Sequence, residues 1–455
     1  MKGSVQAWIT ERRDVFDVPE IRRDIPTPYN TQLRFDRKDL TKAGGYPLFV
    51  WFCDTFGIAE LLNGIRIKKR KSKYSILDLN LILLDMIILG IERISHMSAW
   101  ASDALLPLLR GHDRLPHPSS LFRHIESFNE RNIAELEEIQ RKALAKGLSP
   151  RDHAILDLDA TVITVYGKQE GSEVGYNPHK KGRPSYSLKA GFIDEREMVC
   201  FRLDPGNTVS SSGFPEFLQK CLSQLPDGIR VEFIRLDKGY YSRDNLSLLE
   251  SKGFKYVVKV PSYSTLTSEA MRLSDSSWVK VDREICPNTW LAEMTFHGRR
   301  VIVKRVLVEK KDEEKEGLFE PGESYEFSFY ATNMDGSPWE IIRFYYQRAT
   351  IENRIKESKL GFHADRLPSR LMRANIVYLH FVMLAYNLLW WFKSRMPLCE
   401  KLSERGIRVF RDTLFLIPAV VVKHPSGFSI HMPEAWPFAE LMHRMISFLA
   451  SPAPA

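Results

Sequence analysis

Apolar and polar positions change their rhythm several times along the chain. From about residue 45 to 150 the apolar residues recur at helical spacing, through Phe49-Val50-Trp51-Phe52 and again through residues 77–84. That periodicity predicts a helical region. From residue 151 short β-branched runs take over. They predict strands near 154–164, 186–194, 197–204, 230–236 and 255–260, with helices near 214–225 and 242–252. Strands and helices in that order predict a mixed α/β sheet. In residues 261–335 the apolar positions alternate with polar ones around 289–294, 300–306 and 326–330, and the charge run 310–316 reads as a solvated loop. The segment is expected to be an all-β insertion. Residues 374–392 are almost continuously apolar, yet they contain Asn375, His380 and Asn387. Interior polar groups are costly in lipid, so a buried core helix is expected there rather than a membrane span. Residues 1–44, with Pro26 and Pro28, read as an extended arm, and 396–455 as a tail with a β-rich piece at 414–432 and a final helix.

Charged residues interrupt this pattern at three places. Asp157 and Asp159 lie within the strand at 154–164, two residues apart, and therefore share a strand face with Thr161. Asp237 ends the strand at 230–236, and Gly239 allows the chain to turn into the next helix. A carboxylate at the end of a buried strand is costly unless its charge is compensated, which a divalent cation would do. Tyr345, Arg348, Glu352 and Lys359 follow later in a segment of helical character. On a regular helix these four side chains fall within an arc of roughly 60°. One carboxylate flanked by two cations and a phenol suits a metal-binding glutamate among groups that grip a phosphate backbone.

An Asp, Asp, Glu set of this kind supplies the hard oxygen ligands that Mg²⁺ requires. Two Mg²⁺ ions about 3.5–4 Å apart would stabilise the attacking and leaving oxygens of a phosphodiester together, with Mn²⁺ expected to substitute. No general-base histidine is needed. Arg348 would take a phosphate as a two-pronged donor and Lys359 as a point charge, and Tyr345 could hydrogen-bond one. Elsewhere, Lys68, Lys69, Arg70 and Lys71 form a compact basic run for which contact with DNA phosphates is expected. Ser119 gives a cap signal before a short helix that could be the second helix of a helix-turn-helix.

With these residues in place the chain resembles the DDE transposases of bacterial insertion sequences. The resemblance rests on Asp157-Leu158-Asp159-Ala160-Thr161, on the basic loop 175–186, on Pro205-Gly206-Asn207-Thr208, on residues 235–241, and on the Tyr345, Arg348, Glu352, Lys359 signature. It runs from about residue 45 to about 435. It implies an α/β fold: a ribonuclease-H-like mixed sheet with an all-β insertion, preceded by a helical DNA-binding region. The implied organisation is an arm (1–44), a helical DNA-binding region (45–150), a catalytic core in two parts (151–260 and 336–395) around the insertion (261–335), and a C-terminal region (396–455). Asp159, Asp237 and Glu352 take the catalytic and metal-binding places. Asp157 competes for the first, and Asp159 is preferred because it stands in the family's D-x-T pattern. Trp290 in the insertion becomes the candidate to stack on a flipped base at the transposon end. His179, Lys180, Lys181 and Arg183 are expected to touch phosphates. The implied activity is cleavage of terminal inverted repeats and joining of their 3′-OH ends to target DNA, by a protein that is at least dimeric when two ends are paired. A DNA-binding descendant that no longer cuts, or a stand-alone metal-dependent nuclease, are the competing readings.

Composition adds little. Sixty-five Lys and Arg against 57 Asp and Glu give a net charge of +8, and the pI is near 9.0, which favours a polyanionic partner. The five cysteines form no CxxC pair and no Cys/His ligand pattern, so neither a disulfide framework nor structural zinc is expected. A bacterial cytoplasmic setting, on the nucleoid when DNA is bound, and no membrane partner complete the expectations.

Overall fold

The computed structural model describes residues 25–26, 32–33, 35–68, 72–178, 180–281, 286–308 and 324–451. Lys69, Arg70, Lys71 and His179 lie outside the described residues. Helices form first: α1 (Pro47–Phe56), α2 (Ile58–Leu62), α3 (Ile76–Ile88), α4 (Pro118–Glu126) and α5 (Glu130–Gly147). Their starts follow from local chemistry. Ser75 and Asp78 form a reciprocal capping box at α3, and Asn129 and Asn132 form one at α5. Ser119 is not the cap of α4. The helix starts earlier, because His117 accepts the Ser119 N–H while Pro118, whose missing N–H costs nothing there, takes the first turn.

The central sheet follows as β1 (Arg151–Thr164), β2 (Pro184–Ile193), β3 (Glu197–Pro205), α6 (Phe214–Gln224), β4 (Ile229–Leu236), α7 (Arg243–Ser251) and β5 (Lys255–Val260). Across the sheet the order is β3-β2-β1-β4-β5. β2 runs against both neighbours, and β1, β4 and β5 are parallel to one another. This is the ribonuclease-H-like arrangement.

The insertion contains α8 (Ser264–Met271), β6 (Thr289–Phe296), β7 (Arg299–Val308) and β8 (Ser324–Thr332). α8 departs from the all-β expectation: Leu266 and Ala270, four apart, are both fully buried, which is helical spacing. The insertion is also no separate sheet. β8 pairs antiparallel with β5, so its strands extend the central sheet beyond that edge.

The chain then returns as α9 (Pro338–Tyr346), α10 (Ala349–Phe362) and α11 (Met372–Arg395), and ends in α12 (Ile407–Leu414), the hairpin β9 (Ala419–His424) and β10 (Gly427–His431), and α13 (Ala439–Ala450). α11 is apolar and long enough to cross a membrane by length and composition, but 89% of its most apolar window is buried inside the protein. Its polar residues are used there. Asn387 accepts a hydrogen bond from the Met198 amide (2.9 Å) and donates one to the Met198 carbonyl (2.8 Å), tying the helix to β3. Phe49, Phe52, Phe392, Phe410 and Phe415 pack ring against ring where α1, α11 and α12 meet.

One cysteine expectation needs correcting. Cys200 on β3 and Cys221 on α6 are joined in a disulfide, their Cα atoms 5.4 Å apart. They are separated by 21 residues in sequence, and only the packing of α6 on β3 brings them together.

Candidate active site

Sheet register assembles the first two acids. In the parallel β1–β4 ladder Asp157 stands opposite Arg235, and Leu158 opposite Leu236. The next residue on each strand is Asp159 and Asp237. Neighbouring strands are about 4.8 Å apart, so the two carboxylates emerge side by side where the ladder ends.

The ambiguity between Asp157 and Asp159 resolves into two different roles. Asp157 is fully buried and takes a two-pronged bond from Arg235, Nε–Oδ1 2.8 Å and Nη2–Oδ2 2.7 Å. Burial raises its pKa against the pull of that guanidinium. Both its oxygens are committed. Asp159 is less enclosed. Its Oδ1 accepts the Ala160 amide (2.9 Å) and lies 3.0 Å from Arg348 Nη2, which leaves Oδ2 for other work. Burial pushes its pKa up, the Arg348 charge opposes this, and the Asp237 charge adds to the rise. Asp237 has no hydrogen bond or ion pair from its carboxylate among the described residues.

The Tyr345–Lys359 segment is not one continuous helix. It breaks at Gln347 and Arg348, where the bonds Arg348 N to Tyr345 O (3.0 Å) and Ile351 N to Arg348 O (2.9 Å) span three residues instead of four. The single stripe expected from a regular helix is therefore divided. Tyr345, on α9, is buried and packs edge-on against Tyr330 of β8 with ring centres 4.9 Å apart. Arg348 lies at the junction, buried, with Nη2 also 3.2 Å from the Leu158 carbonyl. Burial works against its charge, but Asp159, Tyr345 and Asp237 outweigh it and hold the guanidinium firmly protonated. Its Nε is buried with no acceptor among the described residues. Lys359 reaches Thr161 Oγ1 (2.5 Å) and the Val162 carbonyl (3.0 Å) on β1, and burial lowers its pKa. Glu352 is exposed on α10, and its carboxylate makes no hydrogen bond or ion pair among the described residues.

Asp159 and Asp237 fit a hard divalent cation in donor chemistry and in register. Glu352 is not gathered with them: among the described residues no three His, Cys, Asp or Glu side chains converge as ligands.

The remaining candidates lie away from the acids. Lys180, Lys181 and Arg183 are exposed on the loop that enters β2. Asn177 folds that loop by donating to Thr164 Oγ1 (2.8 Å) and accepting the Lys180 amide (3.0 Å), while Arg183 lies over the Tyr166 ring (5.8 Å). Lys68 lines a groove of about 550 Å³ together with Arg66 and Arg131. Trp290 is on β6, four strands from β4 and so roughly 19 Å away across the sheet. It faces Arg305 (5.4 Å) and Lys280 (5.9 Å), beside Tyr325.

Glu195, on the β2–β3 turn, and Arg235 lie behind the acids. Glu195 carried no motif signal, and Arg235 fell within the 235–241 segment of the resemblance without being marked as a site residue.

A family model described as transposase DDE domain group 1 matches residues 27–453. Among solved structures the chain is similar to a piggyBac transposase synaptic complex with hairpin DNA, at 11% identity over 91% of this chain and 83% of that chain, with a TM-score of 0.46. It is also similar to a Mos1 transposase paired-end complex with the left transposon end, at 13% identity over 48% of this chain and 70% of that chain, with a TM-score of 0.17. No curated protein matches.

Proposed function

The chain belongs to the transposase DDE domain group 1 family, and from that premise we propose that it binds the terminal inverted repeats of its own element, cuts them, and joins the 3′-OH ends to target DNA. The observation that carries this reading is the register that sets Asp159 and Asp237 side by side under a helix junction bearing Arg348 and Glu352. Asp159, Asp237 and Glu352 would hold Mg²⁺, as a pair of ions, and the metal when bound supplies Lewis-acid stabilisation of the charge that develops on the phosphodiester oxygens. The chain's own residues position the strand. Arg348, whose buried Nε has no acceptor among the described residues, would take a phosphate oxygen beside Asp159. Lys359 holds the following stretch of β1, and its ammonium adds positive charge to the same side. The loop cations Lys180, Lys181 and Arg183, and Lys68 with the basic run beyond it, would track the flanking DNA backbone. Two ends must be paired before joining, so the working form is at least a dimer on DNA.

A second reading draws on one observation, that Glu352 stands apart from the aspartates. On that reading the protein holds DNA ends without cutting them. One assay separates the two: a labelled duplex carrying the terminal repeat, incubated with Mg²⁺ or Mn²⁺ and either wild type or Glu352→Gln. Cutting at the repeat tip by the wild type, lost in the variant while binding persists, is expected. Tight binding without any cutting by the wild type would leave the end-binding reading.

A further inference from the structure

Arg235 is fully buried, and its guanidinium makes bonds in three directions. Two N–H groups hold Asp157 on β1. Nη1 donates to the Phe344 carbonyl (2.8 Å), at the end of α9 and one residue before Tyr345. Nη2 also donates to Glu195 Oε1 (2.7 Å) on the turn between β2 and β3. Glu195 continues the chain of contacts to α10: its Oε2 is 3.1 Å from Thr350 Oγ1, and its carbonyl accepts a bond from Arg354 Nε (3.1 Å). Asp157 and Arg235 each lie two residues before an acid of the site, on the same strand face, about 6.6 Å down the strand.

A lock between β1 and β4 would need only the Asp157–Arg235 pair. Two apolar side chains of similar volume would serve that purpose without the cost of desolvating two charges. What the buried guanidinium adds is direction. One of its other bonds ends on α9, at Phe344, and the other reaches α10 through Glu195, so both lead to the helices that meet at Arg348. We propose that Arg235, acting with Asp157 and Glu195, is a positioning residue of the cleavage site: it fixes the α9–α10 junction, and with it Arg348 and Glu352, against the strand ends that carry Asp159 and Asp237. The proposal rests on the cleavage reading above.

Replacing Arg235 itself would strand the Asp157 charge in the core and endanger the fold. Glu195→Gly removes only the outer arm. Glu195 has φ of +64°, which glycine adopts freely, and Arg235 keeps Asp157. Glu195→Gln is the conservative partner, because it retains an acceptor for Arg235. With Glu195→Gly, the single-turnover cutting rate at saturating repeat DNA should fall about tenfold or more and need more Mg²⁺ to reach half its maximum. Repeat-DNA affinity should stay within about twofold, and Glu195→Gln should restore most of the rate. Backbone amides of residues 347–352 should exchange hydrogen at least tenfold faster in Glu195→Gly than in the wild type, without DNA or metal. Cutting by Glu195→Gly within twofold of wild type overturns the proposal. So does a loss of DNA binding in step with the loss of cutting, which is the mark of a general structural defect. If the wild type itself cuts nothing, the cleavage reading fails instead, and the exchange rates alone decide whether Glu195 holds the junction: unchanged exchange overturns it, faster exchange supports it.

Discussion

Asp157 and Asp159 have the same chemistry and share a strand face, and their fates differ because their neighbours across the β1–β4 ladder differ. Asp157 meets Arg235, whereas Asp159 stands beside Asp237 at the end of the paired register. A buried pair that loses one member leaves an uncompensated charge. Asp157→Asn is therefore expected to cost about 3 kcal/mol of stability. Asp237→Asn removes a carboxylate with no partner among the described residues, and is expected to change stability by less than about 0.5 kcal/mol while abolishing cutting. Urea unfolding of both variants, with the repeat-cutting assay on the second, checks the contrast. Equal midpoints for Asp157→Asn and wild type would show that the pair contributes little. The sequence pointed to both aspartates because charge inside an apolar run is conspicuous. Apolar patterning alone could not separate their roles, and only the resemblance to the D-x-T pattern favoured Asp159, since the partner of each is set by a register between strands some 78 residues apart.

At the scale of elements, α9 and α10 show where periodicity stops being informative. Residue spacing places Tyr345, Arg348, Glu352 and Lys359 on one stripe only if the helix is regular, and a single tightened turn at Gln347–Arg348 divides them. Nothing in the local sequence, neither Gly nor Pro, marks that turn. The strands of the central sheet, by contrast, were legible to within a few residues, because most are largely apolar runs of strand length bounded by turn or charged residues. α11 was legible as a core helix from its interior polar residues, and one of these makes it pH-sensitive. His380 is buried beside Phe201, neither ring nitrogen has a partner among the described residues, and burial, helped by Lys220, pulls its pKa down to about 3. In the unfolded chain it titrates near 6.5. Between those values the unfolded state binds the extra proton, so stability is complete above about pH 6.5 and is lost as pH falls. This one group should contribute a slope of up to roughly 1.4 kcal/mol per pH unit below pH 6. Unfolding midpoints measured from pH 7.5 to 4.5 should fall more steeply for the wild type than for His380→Phe. Parallel curves would mean that the ring is hydrated or protonated in the folded protein.

For the molecule as a whole, the question is how a net charge of +8 is deployed. Several cations are consumed internally: Arg235, Arg348 and Lys359 are tied to β1, and Lys189 is buried against Asp204 (3.3 Å). Those left for a long polyanion are exposed ones, and Lys180, Lys181 and Arg183 stand together on a loop whose fold is fixed by Asn177 rather than by their own charges. The loop also has little room to move. A Cβ at Gly175 would lie 2.0 Å from the Gly206 carbonyl oxygen, so the basic loop and the loop after β3 are packed backbone to backbone. Cations presented in this way can neutralise phosphates without being reorganised first. Each phosphate contact removed should lower the slope of log affinity against log salt by about 0.9. Replacing Lys180, Lys181 and Arg183 together by alanine should therefore reduce that slope by up to about 3, weaken binding to repeat and unrelated duplexes alike, and leave the unfolding midpoint in place. Titrations of repeat DNA between low and moderate salt measure the slope directly. A slope equal to that of the wild type would make the loop an ordinary solvated surface, and would shift the search for the backbone-tracking cations to Arg66, Lys68 and Arg131 in the N-terminal groove.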